Sequence, residues 1–283
     1  IPAIFNPEVA NGEDTDSNDI ICNFGNIKCN TSFGSVIRFY TNPGTIKNNS
    51  FKIHIDNYKQ ASSYIYPLSI NGNEKGLLFL TANGGSALVD NNKIYFNINN
   101  QESDLSVQQE GYLTGTISNC LIKINVNNSI IKKLPSFRFS NTSVIYNNTK
   151  EYITGNYINT SLNPIIQIQN LQLTNNSILE FNGNFKSDIG IDLSGLTIDA
   201  TSKIIFKGRY ELGVGNFNIS GVNGAGADNI IFEDCTIITS NLECITSTTS
   251  KNITVRNTSS NVLTGAANVT EVGESIVRNS NYK

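Results

Sequence analysis

Methionine and tryptophan are absent from the 283 residues, histidine occurs once, and charged side chains make up only 15% of the chain. A chain without methionine does not begin at an initiator, so it reads as the processed remainder of a longer product or an excised piece. The opening IPAIFNPEVANGED lacks the basic start and long apolar run of an intact signal peptide. One histidine and no Cys-x-x-Cys pair give no support for zinc. That histidine, His54, falls on the polar side of FKIHID with no nucleophile motif beside it, which speaks against a Ser–His–Asp triad. Lysine and arginine number 20 against 23 acids, a net charge of −3 with no basic stripe, so nucleic acid is not expected as a partner. No run approaches the ~18 consecutive apolar residues of a spanning helix, and membrane insertion by this chain is not expected.

The chain is rich in asparagine, 44 residues, together with serine, threonine and isoleucine. A processed, polar, β-rich chain of this kind is expected to be secreted and to lie at a cell surface. Such a compartment permits disulfides, and Cys22 with Cys29 and Cys235 with Cys244 are the candidate pairs, leaving Cys120 as a buried apolar thiol. Residues 1–19 open with an apolar arm, in which Ile1, Ala3, Ile4, Phe5 and Val9 are candidate self-assembly residues, followed by an acidic tether. The tether places Asp14, Asp16 and Asn18 at alternate positions, as calcium loops do, but lacks the following glycine and terminal glutamate. Calcium is therefore the one cofactor candidate. A single glycine-rich copy, NGAGADNII, is better read as a tight turn, since the calcium nonapeptide binds between tandem copies.

Residues 20–84 alternate apolar and polar letters in SVIRFY, FKIHID and GLLFLT, the pattern of half-buried strands. They read as a small β domain or cap. From about residue 85 the chain repeats itself. LQLTNNSILEFNG (171–183) matches LTIDATSKIIFKG (196–208), and ADNIIFEDCTI matches SKNITVRNTSS 23 residues later. A unit of this length cannot bury its own apolar face, whereas stacking unit on unit buries it continuously. The prediction is an all-β chain: a right-handed parallel β-helix of roughly eight coils over residues 85–283. The alternative is a β-sandwich of many short strands.

The pattern NIIFEDCTI…NITVRNTSS resembles the coils of pectin-lyase-like right-handed β-helices. LQLTNNSILEFNGN…LSGLTIDATSKIIFKG is similar to the passenger regions of bacterial autotransporters and related surface proteins. The likeness covers 165–283 well and 85–165 loosely, and it implies architecture more than activity.

Chemistry in a β-helix calls first for carboxylates at fixed separation. Glu233 and Asp234, with Arg256 one coil on and Glu243 nearby in sequence, are the candidates, weighed against a solvated strand face of alternating charge. Polygalacturonase-type signatures are missing. The eleven Asn-x-Ser/Thr sequons exceed chance only slightly in so asparagine-rich a chain, and they mark exposed turns. The expected function is therefore an extracellular structural protein of a microbial surface that self-associates into a fibre or layer through its arm, with copies of itself as partners. The alternatives are an adhesin passenger binding surface glycans or host proteins, and a carbohydrate-active enzyme.

Overall fold

In a computed structural model the described residues are 8–10, 14–29, 37–42, 45–60, 76–82, 88–104, 106–110, 115–139, 144–224, 229–247, 253–266 and 269–275. They wind into a parallel β-solenoid with no helix among them. Three strands make a turn. The first turn is β1 (Glu8–Ala10), β2 (Asp14–Asp16) and β3 (Asp19–Cys29), the second β4 (Ile37–Asn42), β5 (Thr45–Lys47) and β6 (Ser50–Gln60). Next come β7 (Gly76–Ala82), β8 (Leu88–Asp90) and β9 (Lys93–Ser103), then β10 (Ser106–Glu110), β11 (Gly115–Ser118) and β12 (Leu121–Ile131). They are followed by β13 (Phe137–Phe139), β14 (Val144–Asn147) and β15 (Lys150–Asn159), and by β16 (Ile166–Ile168), β17 (Leu171–Thr174) and β18 (Ile178–Ser187). The later turns are β19 (Gly190–Asp192), β20 (Leu196–Ile198) and β21 (Lys203–Glu211), then β22 (Asn216–Asn218), β23 (Asn223–Gly224) and β24 (Ile230–Ile238). The end tapers through β25 (Ile245–Thr246), β26 (Ile253–Arg256), β27 (Ser259–Ser260) and β28 (Val269–Val272).

First strands build a nine-stranded sheet, second strands an eight-stranded sheet, and third strands, with β26 to β28, an eleven-stranded sheet. The boundary expected near residue 84 does not coincide with a break in these sheets. β3 pairs with β6 and β6 with β9, all parallel, so the described strands of residues 20–84 are turns of the same solenoid. Five complete turns run from β10 to β24 with a partial turn on either side, about six over residues 85–283 in place of the eight expected.

The repeats are the rungs. Leu171 pairs with Leu196, Leu173 with Ile198, Leu179 with Ile204, Phe181 with Phe206, and Gly183 with Gly208. Ile230 likewise faces Ile253, Phe232 faces Val255, and Glu233 faces Arg256. Alternate letters point inward, so each strand contributes a row of buried residues such as Ile94, Phe96 and Ile98, or Leu179 and Phe181. Aromatic rings stack between turns where the register aligns them. Tyr157, Phe185 and Tyr210 lie 5.0 Å apart in succession, and Phe181, Phe206 and Phe232 lie 5.7 and 5.1 Å apart. Ring spacing follows the strand spacing of ~4.8 Å, so stacking is almost free once the register is set.

The corner between the second and third sheets is built from polar pairs. At Asn48, Asn91, Asn119 and Asn148 the backbone is left-handed, a conformation asparagine tolerates. The residue after each turns its side chain inward to accept a backbone N–H from the preceding turn. Asn49 N–H reaches Asn92 Oδ1 (2.9 Å), Asn92 N–H reaches Cys120 Sγ (3.4 Å), and Cys120 N–H reaches Thr149 Oγ1 (3.3 Å). Thr149 N–H then reaches Ser177 Oγ (3.0 Å) and Ser177 N–H reaches Ser202 Oγ (3.1 Å). Each bond satisfies a buried donor that the corner would otherwise orphan, at a cost of about 1–3 kcal/mol if left unmade. Outside this file the left-handed asparagines form a second ladder, Asn91 to Asn48 (2.7 Å) and Asn148 to Asn119 (2.8 Å). The bend within the third sheet is made by Gly155, Gly183 and Gly208, which stack in register. A Cβ at Gly183 would lie 2.0 Å from the Gly155 carbonyl oxygen, which explains the glycine shared by FNG and FKG in the repeats.

Candidate functional site

β24 carries the candidate carboxylates. Between Phe206 and Gly208 the pairing with β24 shifts, so Lys207 opposes both Glu233 and Asp234, and Asp234 takes a left-handed conformation with φ 53°. Lys207 Nζ lies 3.0 Å from Glu233 and 3.7 Å from Glu180, so one ammonium sits between two carboxylates on neighbouring turns. The hydrogen bond to Glu233, with the negative field of Glu180 and Asp234, raises the Lys207 pKa and keeps it charged. Asp234 accepts a bond from Asn257 Nδ2 at 3.4 Å, and Arg256 holds the register position beyond Glu233. Glu243 is not part of this column; its carboxylate lies against Gly265. The arrangement neutralises charge along the outer face: Glu180 and Glu233 share Lys207, and Asp234 is held by the Asn257 amide.

The calcium candidates lie in and beside a strand. Asp14 and Asp16 belong to β2, and Asp16 accepts bonds from Ser17 Oγ and Asn48 Nδ2, each 2.8 Å, which lower its pKa. Asn18 Nδ2 donates to the Asp16 carbonyl and to Asn49 Oδ1. Among the described residues no three His, Cys, Asp or Glu side chains converge as metal ligands. His54 pairs with Asp56 on its own strand at 3.0 Å, and Asn99 donates to the same carboxylate at 3.0 Å. Of the arm, Val9 lies in β1, where its backbone pairs with Thr41; Ile1, Ala3, Ile4 and Phe5 fall outside the described residues.

The disulfide expectations do not hold. Cys22 and Cys29 lie seven residues apart in the single extended strand β3, a separation on the order of 20 Å against the ~6 Å a disulfide spans. Cys22 is free and packs, half-buried, at the end of the core. Cys235 and Cys244 are free, in different parts of the coil. Burial pushes Cys120 and Cys235 up to about 12 and Cys244 up to about 11, so all three are neutral thiols. Cys235 spends its proton on the Phe206 carbonyl at 2.9 Å, and Cys120 occupies an acceptor position in the corner file, which is why a cysteine is found there.

Sequence reasoning missed the acid inside the solenoid. Glu151 is fully buried, at the inward register position between Ile122 and Leu179. Tyr146 donates its hydroxyl to Oε2 at 2.7 Å, while Oε1 is buried without a partner. Burial pushes Glu151 up to about 8, against the downward pull of a bond from Gln108. The signal was its parity: Glu151 and Ile153 share the inward phase of β15.

On the outer side of the bend a shallow cleft of about 410 Å³ is lined by Asn156, Ile158, Asn184, Lys186, Arg209 and Glu211. Glu211 binds both Arg209 (2.8 Å) and Lys186 (3.4 Å), bonds that lower its pKa. The sequon amides are structural wherever they are described. Asn48, Asn127, Asn175 and Asn218 use Nδ2, the atom a glycan would take, in bonds to the preceding turn. Comparison with protein-family models, with curated proteins and with solved structures finds no match.

Proposed function

We propose that this chain is an extracellular structural protein of a microbial cell surface whose copies stack end to end into a fibre or layer. The supporting observation is the contrast between the first described turn and the second. On β6 the inward residues Phe51, Ile53, Ile55 and Tyr58 are at most 1% exposed, whereas their counterparts on the edge strand β3, Ile20, Cys22, Phe24 and Ile27, are only half-buried. At the other end Val269, in the inward phase of the edge strand β28, is only half-buried against the core. All pairing is parallel, so the end of one copy matches the start of the next, and such a head-to-tail contact does not close. Glu8–Ala10 of the arm forms β1, the edge strand of the nine-stranded sheet, and its open edge would strengthen the joint by pairing with the last turn of a neighbour. The resemblance to autotransporter passengers agrees with a surface location, and the pectin-lyase-like resemblance is carried only by the coil pattern.

Electron microscopy and light scattering of the full chain test this reading. Filaments or concentration-dependent oligomers are expected, and the double variant Ile20→Lys, Phe24→Lys should be monomeric with an unchanged circular dichroism spectrum. Deletion of residues 1–9 should weaken assembly in the same direction. A wild-type chain that stays monomeric at high concentration, or filaments that persist in the folded double variant, would overturn the proposal.

A further inference from the structure

The outer face of the third sheet carries a two-turn rhythm. One outward column reads Ser50, Lys93, Leu121, Lys150, Ile178, Lys203, each residue paired with the next across adjacent strands. The neighbouring column reads Lys52, Tyr95, Lys123, Tyr152, Glu180. Lysines thus recur two turns apart, Lys93, Lys150 and Lys203 in the first column and Lys52 and Lys123 in the second, out of phase by one turn, until Glu180 takes the next place in the second column. Tyrosines 95 and 152 are also two turns apart, and Lys123 Nζ lies 5.8 Å from the centroid of the Tyr95 ring. A third column, Asn97, Asn125, Thr154 and Asn182, offers amides and a hydroxyl, with Thr154 Oγ1 donating to Asn125 Oδ1 at 3.0 Å.

Among the described residues, ion pairing touches this strip only at its ends, at Lys52 and Glu180, and otherwise lies outside it. Lys52 turns to Asp19, Lys59 and Lys132 to Glu102, Lys186 to Glu211, and Lys207 to Glu180 and Glu233. Lys93, Lys123, Lys150 and Lys203 form no ion pair among the described residues, although the chain as a whole is acidic. Lys93, Lys123, Lys150 and Lys203 therefore gather positive charge on one strip of the outer face, which attracts anions.

We propose that this strip binds a linear anionic polysaccharide lying along the solenoid axis, carrying one acidic group per disaccharide. Two turns span ~9.6 Å, on the order of the length of two linked pyranose rings in an extended chain. An acidic group on alternate sugars then meets Lys93, Lys150 and Lys203 in turn, with Lys123 between. Tyr95 and Tyr152 place aromatic rings beside the lysines at the same period, as stacking partners for sugar C–H faces. The Asn97 to Asn182 column takes hydroxyls, which amides both donate to and accept from. The inference does not rest on end-to-end assembly.

The test uses the full chain and three probes in titration calorimetry: a hyaluronan decasaccharide, with one carboxylate per disaccharide; a neutral maltodextrin of equal length; and polyphosphate of equal charge. Hyaluronan should bind and the maltodextrin should not. Lys93→Gln with Lys150→Gln should weaken hyaluronan by about tenfold, the sum expected for two exposed ion pairs. Tyr95→Ala with Tyr152→Ala should weaken it about threefold or more without changing the salt dependence. Lys186→Gln, whose lysine pairs with Glu211, should leave it unchanged, and circular dichroism melts confirm that each variant is folded. No binding of hyaluronan, equal binding of polyphosphate with no effect of the tyrosine variant, or wild-type affinity in the lysine variant would each overturn the proposal.

Discussion

Along its axis the solenoid changes what it stores inside. Around β9 to β15 the interior sets Gln101, Ser103, Ser106, Gln108, Ser129 and Glu151, all buried, among apolar residues such as Ile94, Phe96 and Ile124; around β18 to β24 a file of rings, Phe181, Phe185, Phe206, Tyr210 and Phe232, dominates it. In the aromatic region each ring gains from the one above by stacking, and the gain propagates with the strand spacing. In the polar region each group must find a specific partner. Gln101 donates to Ser103 (3.0 Å) and Ser129 to Gln101 (3.2 Å), but Glu151 Oε1 finds none. The same backbone thus carries two interiors, one that tolerates any pH and one that does not.

Three substitutions separate them. Phe206 touches Phe181, Tyr210, Phe217 and Phe232, so Phe206→Ala should remove about 3–5 kcal/mol from unfolding free energy measured in denaturant. That loss should be the same at every pH; a loss below 1 kcal/mol would mean the aromatic region does not carry the stability assigned to it. Glu151→Gln should act through pH. The unfolded chain releases this proton near the ordinary value of 4.5, while the folded chain holds it to about 8, so the folded state binds more protons between these values. Wild-type stability should therefore fall as pH rises through that window, and the glutamine variant should flatten the slope. A flat wild-type profile over the same range would show that Glu151 is not held protonated. Smallest is Glu233→Gln, on the outer face. Lys207 keeps Glu180, so stability should shift by no more than about 0.5 kcal/mol in a thermal melt. A loss of several kcal/mol would mean that the outer charge column, rather than the interior, holds these turns together.

How far the fold was legible depended on corner length. Partners in the later turns are 28 or fewer residues apart, as for Asn156 with Asn184 and Asp234 with Asn257, and there the matching letters stood in view. In the first turns Asn26 and Asn57 are 31 residues apart, while Asn57 and Asn100 are 43 apart. Longer, unequal connections erased the repeat without altering the strands, and so residues 20–84 read as a separate domain. The candidate site was legible as neighbours in register, Glu233 with Arg256, but Lys207 was not, because a bulge in β24 is needed to bring it opposite both acids.

By itself the sequence determined that the chain is a stack of short parallel strands with polar corners, since period-two burial and in-register repetition are local properties of the letters. It also determined the corner files, because a left-handed asparagine followed by a small acceptor solves the same hydrogen-bonding problem at each turn. Tertiary structure alone decided that Cys235 and Cys244 stay apart, that Glu151 keeps one carboxylate oxygen without a partner, and that lysines and tyrosines align every second turn on one face. Those depend on register between turns. Register is fixed by the sum of core packing and corner bonds around a whole circuit, and no stretch of sequence shorter than that circuit contains it.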